Sequence, residues 1–170
     1  MSLNRRVLLD FLDEIDKDLK KKITLVAVGG TAMTLLDVKP STVDVDFTGL
    51  GEDIEEFERT LKNVPHGFKV DCWKDGMVFS QILPEDYLKK SVAIQRMRNI
   101  ALKALYPVDI VVTKIGRLDQ RDLEDIEDCI KKFKLKKNQI LKRAKRVEYV
   151  GREDNYQINL ESVIRKFFKE

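Results

Sequence analysis

The stretch Ile23-Thr24-Leu25-Val26-Ala27-Val28-Gly29-Gly30-Thr31-Ala32-Met33, continued after a break by Ser41-Thr42-Val43-Asp44-Val45-Asp46-Phe47-Thr48, decides the fold. Ile23 to Val28 is short, almost wholly apolar and rich in branched residues, which is the pattern of a buried strand. Gly29 and Gly30 follow at once, and Thr31, Ala32, Met33, Leu35 and Leu36 then predict a helix opening directly from that strand. Lys39-Pro40-Ser41 breaks it. Val43 to Thr48 alternates with period two, so a strand is expected with Val43, Val45 and Phe47 on one face and Asp44 and Asp46 on the other.

Strand, Gly-Gly turn, helix and acidic strand make a unit with chemistry in it. A helix start exposes unpaired N–H groups and the positive end of the helix dipole. Glycines let a phosphate approach that backbone closely, and Thr31 adds a hydroxyl. Two carboxylates two residues apart on a strand lie roughly 6–7 Å apart, a spacing that lets both bind one Mg²⁺ and share a second. Two such ions clamp the attacking and leaving oxygens of an in-line phosphoryl transfer. A third carboxylate is then expected on a neighbouring strand. Asp71 fits, lying on the polar side of the alternating run Phe68 to Trp73; Asp109 is the rival, but it follows Pro107 where a helix begins.

Outward from this unit, Leu3, Val7, Leu8, Phe11, Leu12, Ile15 and Leu19 recur at helical spacing and predict an amphipathic first helix. Glu52 to Lys62 predicts another. Asp75-Gly76 reads as a hairpin turn, with Met77 to Leu83 as the return strand. Tyr87 to Leu88, Val92 to Met97 and Ile100 to Leu105 are expected as further short strands. Past Pro107 the pattern is helical: Val108 to Leu118, a helix capped by Asp119 running to about Phe133, then Asn138 to Val150 and Leu160 to Phe168. The expected architecture is α/β, a mixed sheet with flanking helices over 1–118, and a helical C-terminal extension over 119–170 packed on it.

Composition excludes several classes. Hydrophobic residues make up 43% of the 170, which is enough for a core. Two cysteines, Cys72 and Cys129, and the single His66 give neither a zinc-site spacing nor a disulfide framework, and a reducing cytoplasm fits. No apolar run is long enough to span a membrane. The net charge of +3 does not announce a nucleic-acid binder. The stretch Lys131 to Arg146, with nine cations and no acid, reads either as a solvated surface or as a face for phosphates such as those of RNA.

The residues Val28-Gly29-Gly30, thirteen intervening positions and Asp44-Val45-Asp46-Phe47 resemble the signature of the nucleotidyltransferase superfamily related to DNA polymerase beta. Lys114 to Arg117 followed by Arg121-Asp122-Leu123-Glu124-Asp125 is similar to a segment of small microbial members, among them relatives of the abortive-infection toxins of the AbiE type. The resemblance implies an enzyme moving a nucleoside monophosphate from an NTP, such as ATP, to a hydroxyl acceptor with Mg²⁺ or Mn²⁺. Asp44, Asp46 and Asp71 would be catalytic and metal-binding; Gly29, Gly30, Thr31 and Lys114 would hold the nucleotide. RNA, a protein hydroxyl and a small molecule remain open as acceptor. Two other readings stand beside it: a catalytically inactive nucleotide- or RNA-binding module, and the toxin component of a toxin–antitoxin pair.

Overall fold

Apolar Ile23–Ala27 does form a buried strand, and the elements around it follow its pattern. The structure, a computed structural model, describes residues 2–150 and 153–169. In chain order the elements are β1 (Leu3–Asn4), α1 (Arg5–Asp18), β2 (Ile23–Ala27), α2 (Gly29–Leu35), β3 (Ser41–Thr42), β4 (Val45–Gly49), α3 (Gly51–Leu61), β5 (Val70–Lys74) and β6 (Met77–Val78). There follow β7 (Gln81–Ile82), α4 (Tyr87–Lys90), β8 (Val92–Arg96), β9 (Ile100–Ala104), α5 (Pro107–Ile115), α6 (Gln120–Phe133), α7 (Lys137–Ala144), β10 (Glu148–Tyr149) and α8 (Glu153–Phe167). These separate into two compact units: 1–76 with 88–105, and 77–87 with 106–170. The division is discontinuous: α5 and the β6–β7 hairpin group with the later helices.

The first unit carries a five-stranded mixed sheet in the order β5-β4-β2-β9-β8. β2 runs parallel to β9 and antiparallel to β4, while β4 runs parallel to β5. Helix α3 packs against β2, β4 and β5, and α2 against β2, β4 and β9. Phe47 and Phe57 meet edge to face at 5.4 Å between ring centroids in this core, and both are fully buried. The short β1–β3 pairing, Leu3 opposite Thr42, ties the segment before β4 to the start of α1.

Asp16, at the end of α1, is a buried carboxylate with a structural task. Its Oδ1 accepts the backbone N–H of Asn99 at 2.7 Å and of Ile100 at 2.8 Å, which pins the β8–β9 hairpin to the helix.

The second unit is built round α5, all nine of whose residues are buried. Its carbonyls are met by side chains from elsewhere in the unit: Gln81 Nε2 donates to Thr113 O at 2.7 Å, Tyr156 Oη to Val112 O at 2.7 Å, and Asn159 Nδ2 to Ile115 O at 2.9 Å. A buried helix needs such partners wherever its own ladder ends. The Arg143 guanidinium grips Asp109 through Nε and Nη2, and Asp86 through Nη1 at 2.7 Å, fastening α7 to α5.

The start of α6 is a capping box. Asp119 Oδ1 accepts the Asp122 N–H at 2.8 Å, and Asp122 Oδ2 accepts the Asp119 N–H at 3.3 Å. Asp119→Ala should cost about 1 kcal/mol in urea unfolding. The bond from the Asp122 backbone, helped by Arg117, holds the Asp119 carboxyl below its ordinary 3.8. A lowered folded value means stability present above 3.8 and lost as pH falls through the folded value. The deficit of the variant should therefore shrink in acid.

Three local expectations are corrected. Met77–Val78 does not return along β5: it pairs with Gln81–Ile82 across a turn at Phe79 and Ser80, whose φ angles are 49° and 62°. Asp75 and Gly76 do turn the chain with positive φ, but Asp75 serves α3 instead, its Oδ1 accepting the Gly51 N–H at 3.0 Å. Tyr87–Leu88 opens the short helix α4, with the Tyr87 N–H on Pro84 O at 2.9 Å. Helix α7 stops at Ala144, and Glu148–Tyr149 pairs with β7, since Val147 and Tyr149 break the helical spacing.

Candidate nucleotidyl-transfer site

Backbone conformation fixes the Gly-Gly turn. Gly29 has φ 55°, a region where a side chain is strained. A Cβ on Gly30 would stand 2.7 Å from Thr42 Oγ1. That hydroxyl donates to Asp44 O at 2.8 Å, so it cannot swing away without releasing the residue before β4. Gly30→Ala should destabilise the fold by about 1–3 kcal/mol in denaturant unfolding, and Gly30→Ala with Thr42→Ala should recover part of that loss.

Thr31 is fully buried and its hydroxyl stitches the turn to the acidic segment. It donates to Asp44 O at 3.0 Å and accepts the Asp46 N–H at 2.9 Å. The Val28 N–H reaches Asp46 O at 3.0 Å. The glycine turn and the Asp-Val-Asp segment are therefore one hydrogen-bonded assembly, and Thr31 acts inside it.

The structure places the two acids of that segment differently from the simple alternation. Strand β4 begins at Val45, so Asp44 lies in the bend before it, exposed and, among the described residues, with no side-chain partner. Asp46 is on the strand and 5% exposed. Its register partner on the parallel neighbour β5 is Asp71. Register partners on parallel strands project to the same face, and strands lie about 4.8 Å apart. Asp71 is part-exposed and its carboxylate stands 3.6 Å from the Lys69 ammonium. Between these strands Cys72, opposite Phe47, is a thiol pushed up to about 12 by burial and then by Glu58, Asp71 and Asp46. Such a thiol stays protonated and inert at neutral pH.

Among the described residues no three His, Cys, Asp or Glu side chains stand together as a ready-made ligand set. The donor chemistry at this point nonetheless fits a hard divalent cation: every candidate donor is a carboxylate, and Asp44 is exposed.

Lys114 is 4% exposed in the second unit, its Nζ 3.0 Å from Asp125 Oδ2 and 3.5 Å from Asp122 Oδ1. Asp122 also takes Arg117 at 3.0 Å. These carboxylates are buried ion-pair partners of the two cations. Asp109, the rival third ligand, is fully buried and committed to Arg143. Arg143 itself, one of the nine cations of the basic stretch, is therefore inside the unit.

The model of a family described as "Nucleotidyltransferase of unknown function (DUF6036)" matches residues 6–168, nearly the whole chain. The chain belongs to this nucleotidyltransferase family. No curated protein matches it in sequence. Among solved structures, this family member is similar to the crystal structure of ANT(2")-Ia in complex with adenylyl-2"-tobramycin, with TM-score 0.52, 10% identity, and 94% of this chain and 97% of that chain covered. It is also similar to the solution structure of the antibiotic-resistance factor ANT(2'')-Ia, with TM-score 0.51, 12% identity, and 96% and 92% covered. At such identities the likeness is one of fold, and it agrees with the expected mixed-sheet nucleotidyltransferase architecture. Among the described residues no helix is long and apolar enough to cross a membrane.

Proposed function

We propose that this nucleotidyltransferase-family chain moves a nucleoside monophosphate from an NTP to a hydroxyl acceptor, using Asp44, Asp46 and Asp71. The observation that carries the reading is the Asp46–Asp71 register pairing beside a glycine turn that Thr31 ties to Asp44 and Asp46. The crystal structure of ANT(2")-Ia with adenylyl-2"-tobramycin supports a nucleotidylated small molecule as one product class for this fold.

Gly29 and Gly30 would admit the triphosphate to the backbone of the turn. Asp44, Asp46 and Asp71 would hold Mg²⁺ or Mn²⁺, which when bound neutralises phosphate charge and favours in-line displacement. The acceptor oxygen forms a bond to the α-phosphorus, the bond to the bridging oxygen breaks, and pyrophosphate leaves. The hydroxyl proton passes to Asp71, whose part-exposed carboxylate leaves Lys69 to receive it. Lys114 reaches a phosphate only by giving up Asp122 and Asp125.

Incubation with each α-labelled NTP, Mg²⁺ or Mn²⁺, and in turn RNA, a protein mixture and small hydroxyl compounds tests this. The expected result is metal-dependent labelling of one acceptor class with stoichiometric pyrophosphate. A competing reading, a nucleotide-binding module without turnover, draws on the absence of a preassembled carboxylate set among the described residues. It is upheld by metal-independent NTP binding without pyrophosphate release.

A further inference from the structure

A cleft of about 380 Å³ opens at the start of β2 and β9, where Ile23 and Ile100 are register partners. It lies wholly within the first unit. The Gly-Gly turn follows the far end of β2, about 17 Å of strand away. The cleft is therefore separate from the transfer site.

Its lining includes Lys22, Arg96 and Arg98 against one acid, Asp53. All three cationic side chains are exposed, and none makes an ion pair or side-chain hydrogen bond among the described residues. Asp53 is occupied, its Oδ2 accepting the Thr24 N–H at 3.0 Å. The net charge of the lining is thus three positive groups less one negative. Lys20 and Lys21 add exposed cations immediately upstream of Lys22.

The loop bearing the two arginines is held in place. Asp16 takes two of its N–H groups, Asn99 Nδ2 donates to Asp16 O at 2.9 Å, the Ile23 N–H reaches Asn99 O at 2.8 Å, and the Met97 N–H reaches Ile100 O at 2.7 Å. A pinned loop loses little entropy on binding. Guanidinium forks match phosphate oxygens, and the half-buried Met97 side chain beside them gives a sugar or base an apolar surface to lie on.

We propose that this cleft is a phosphate-binding site for nucleotide phosphates, independent of the transfer chemistry. The phosphates come either from a single-stranded nucleic acid backbone or from a free nucleotide, and the same cations would bind both.

The test uses the full chain in EDTA, so that metal-dependent binding at Asp44 and Asp46 plays no part. Fluorescent decauridylate is titrated by anisotropy, and ATP and inorganic tripolyphosphate by amide NMR. The variants are Arg96→Ala with Arg98→Ala, and Arg96→Gln with Arg98→Gln, which keeps polar side chains should the alanine pair misfold. Lys142→Ala with Lys145→Ala is the control for general positive charge. For a nucleic acid source, decauridylate affinity should fall tenfold or more in both arginine pairs, hold in the lysine pair, and its salt slope should drop by about 1.4. For a free nucleotide, ATP should shift the amides of residues 96–101 in the parent chain and not in the arginine variants. Binding of either ligand that survives both arginine pairs, or that falls equally in the lysine pair, overturns the proposal. Neither outcome depends on whether the chain transfers nucleotides.

Discussion

Asp46→Asn should reduce nucleotidyl transfer by roughly a thousandfold, corresponding to about 4 kcal/mol of lost transition-state stabilisation, while leaving the fold in place. The charge change removes a carboxylate proposed to hold a divalent cation. The isosteric amide keeps the backbone bonds from Thr31 and Val28 that hold the strand's start. Unfolding midpoints within experimental error of the parent chain would show that the loss is chemical. Asp71→Asn should lower transfer in the same way, because the carboxylate proposed to take the acceptor's proton is gone. Full activity in either variant would remove these residues from the chemistry.

Arg143→Ala should be the most destabilising single change in the second unit, by about 3–5 kcal/mol. The loss comes mainly from what remains. Asp109 is fully buried, and without the guanidinium its carboxylate loses its ion-pair partner. Burial already pushes the Asp109 carboxyl above its ordinary 3.8, with Arg143 opposing. Removing Arg143 should raise it further. A raised folded value means stability that is present in acid and lost as pH rises through that value. The gap between Arg143→Ala and the parent chain should therefore be widest at neutral pH and narrow as pH falls and Asp109 takes a proton. Urea unfolding at several pH values measures it. Arg143→Lys should fall between, keeping the charge without the fork.

The parts of this protein governed by local pattern were legible in its sequence. Branched residues at Ile23–Ala27, the glycines after them and the spacing of α1 specify their elements without help from distant residues. The mixed-sheet class followed, and so did the nucleotidyltransferase family, because the motif joins residues close in sequence. What escaped depends on partners far along the chain. Asp75 turns the chain as read, yet it caps α3 and leaves the hairpin to Phe79 and Ser80, of which Phe79 is a residue no turn preference selects. Arg143 sits in a run of cations that reads as surface; only the fold reveals Asp109 and Asp86 waiting for it. The Asp46–Asp71 pairing is a matter of register across parallel strands, which alternation cannot fix. Asp44 was placed on the strand because the alternation starts at Val43; the Thr31 and Thr42 hydroxyls on its carbonyl hold it in the bend instead. A signal existed for that, in the two threonines flanking the turn and the acid, but hydroxyl-to-backbone bonds, one spanning thirteen residues and one spanning two, carry no periodicity.

Paramagnetic broadening by Mn²⁺ in the presence of a non-hydrolysable NTP reads the position of the cation directly. Amides of Gly29, Gly30, Val45, Asp46 and Asp71 should vanish first as the ion is titrated, and Asp46→Asn should restore them. Broadening centred on any other group of residues, or unchanged in that variant, would contradict a cation site built by these carboxylates.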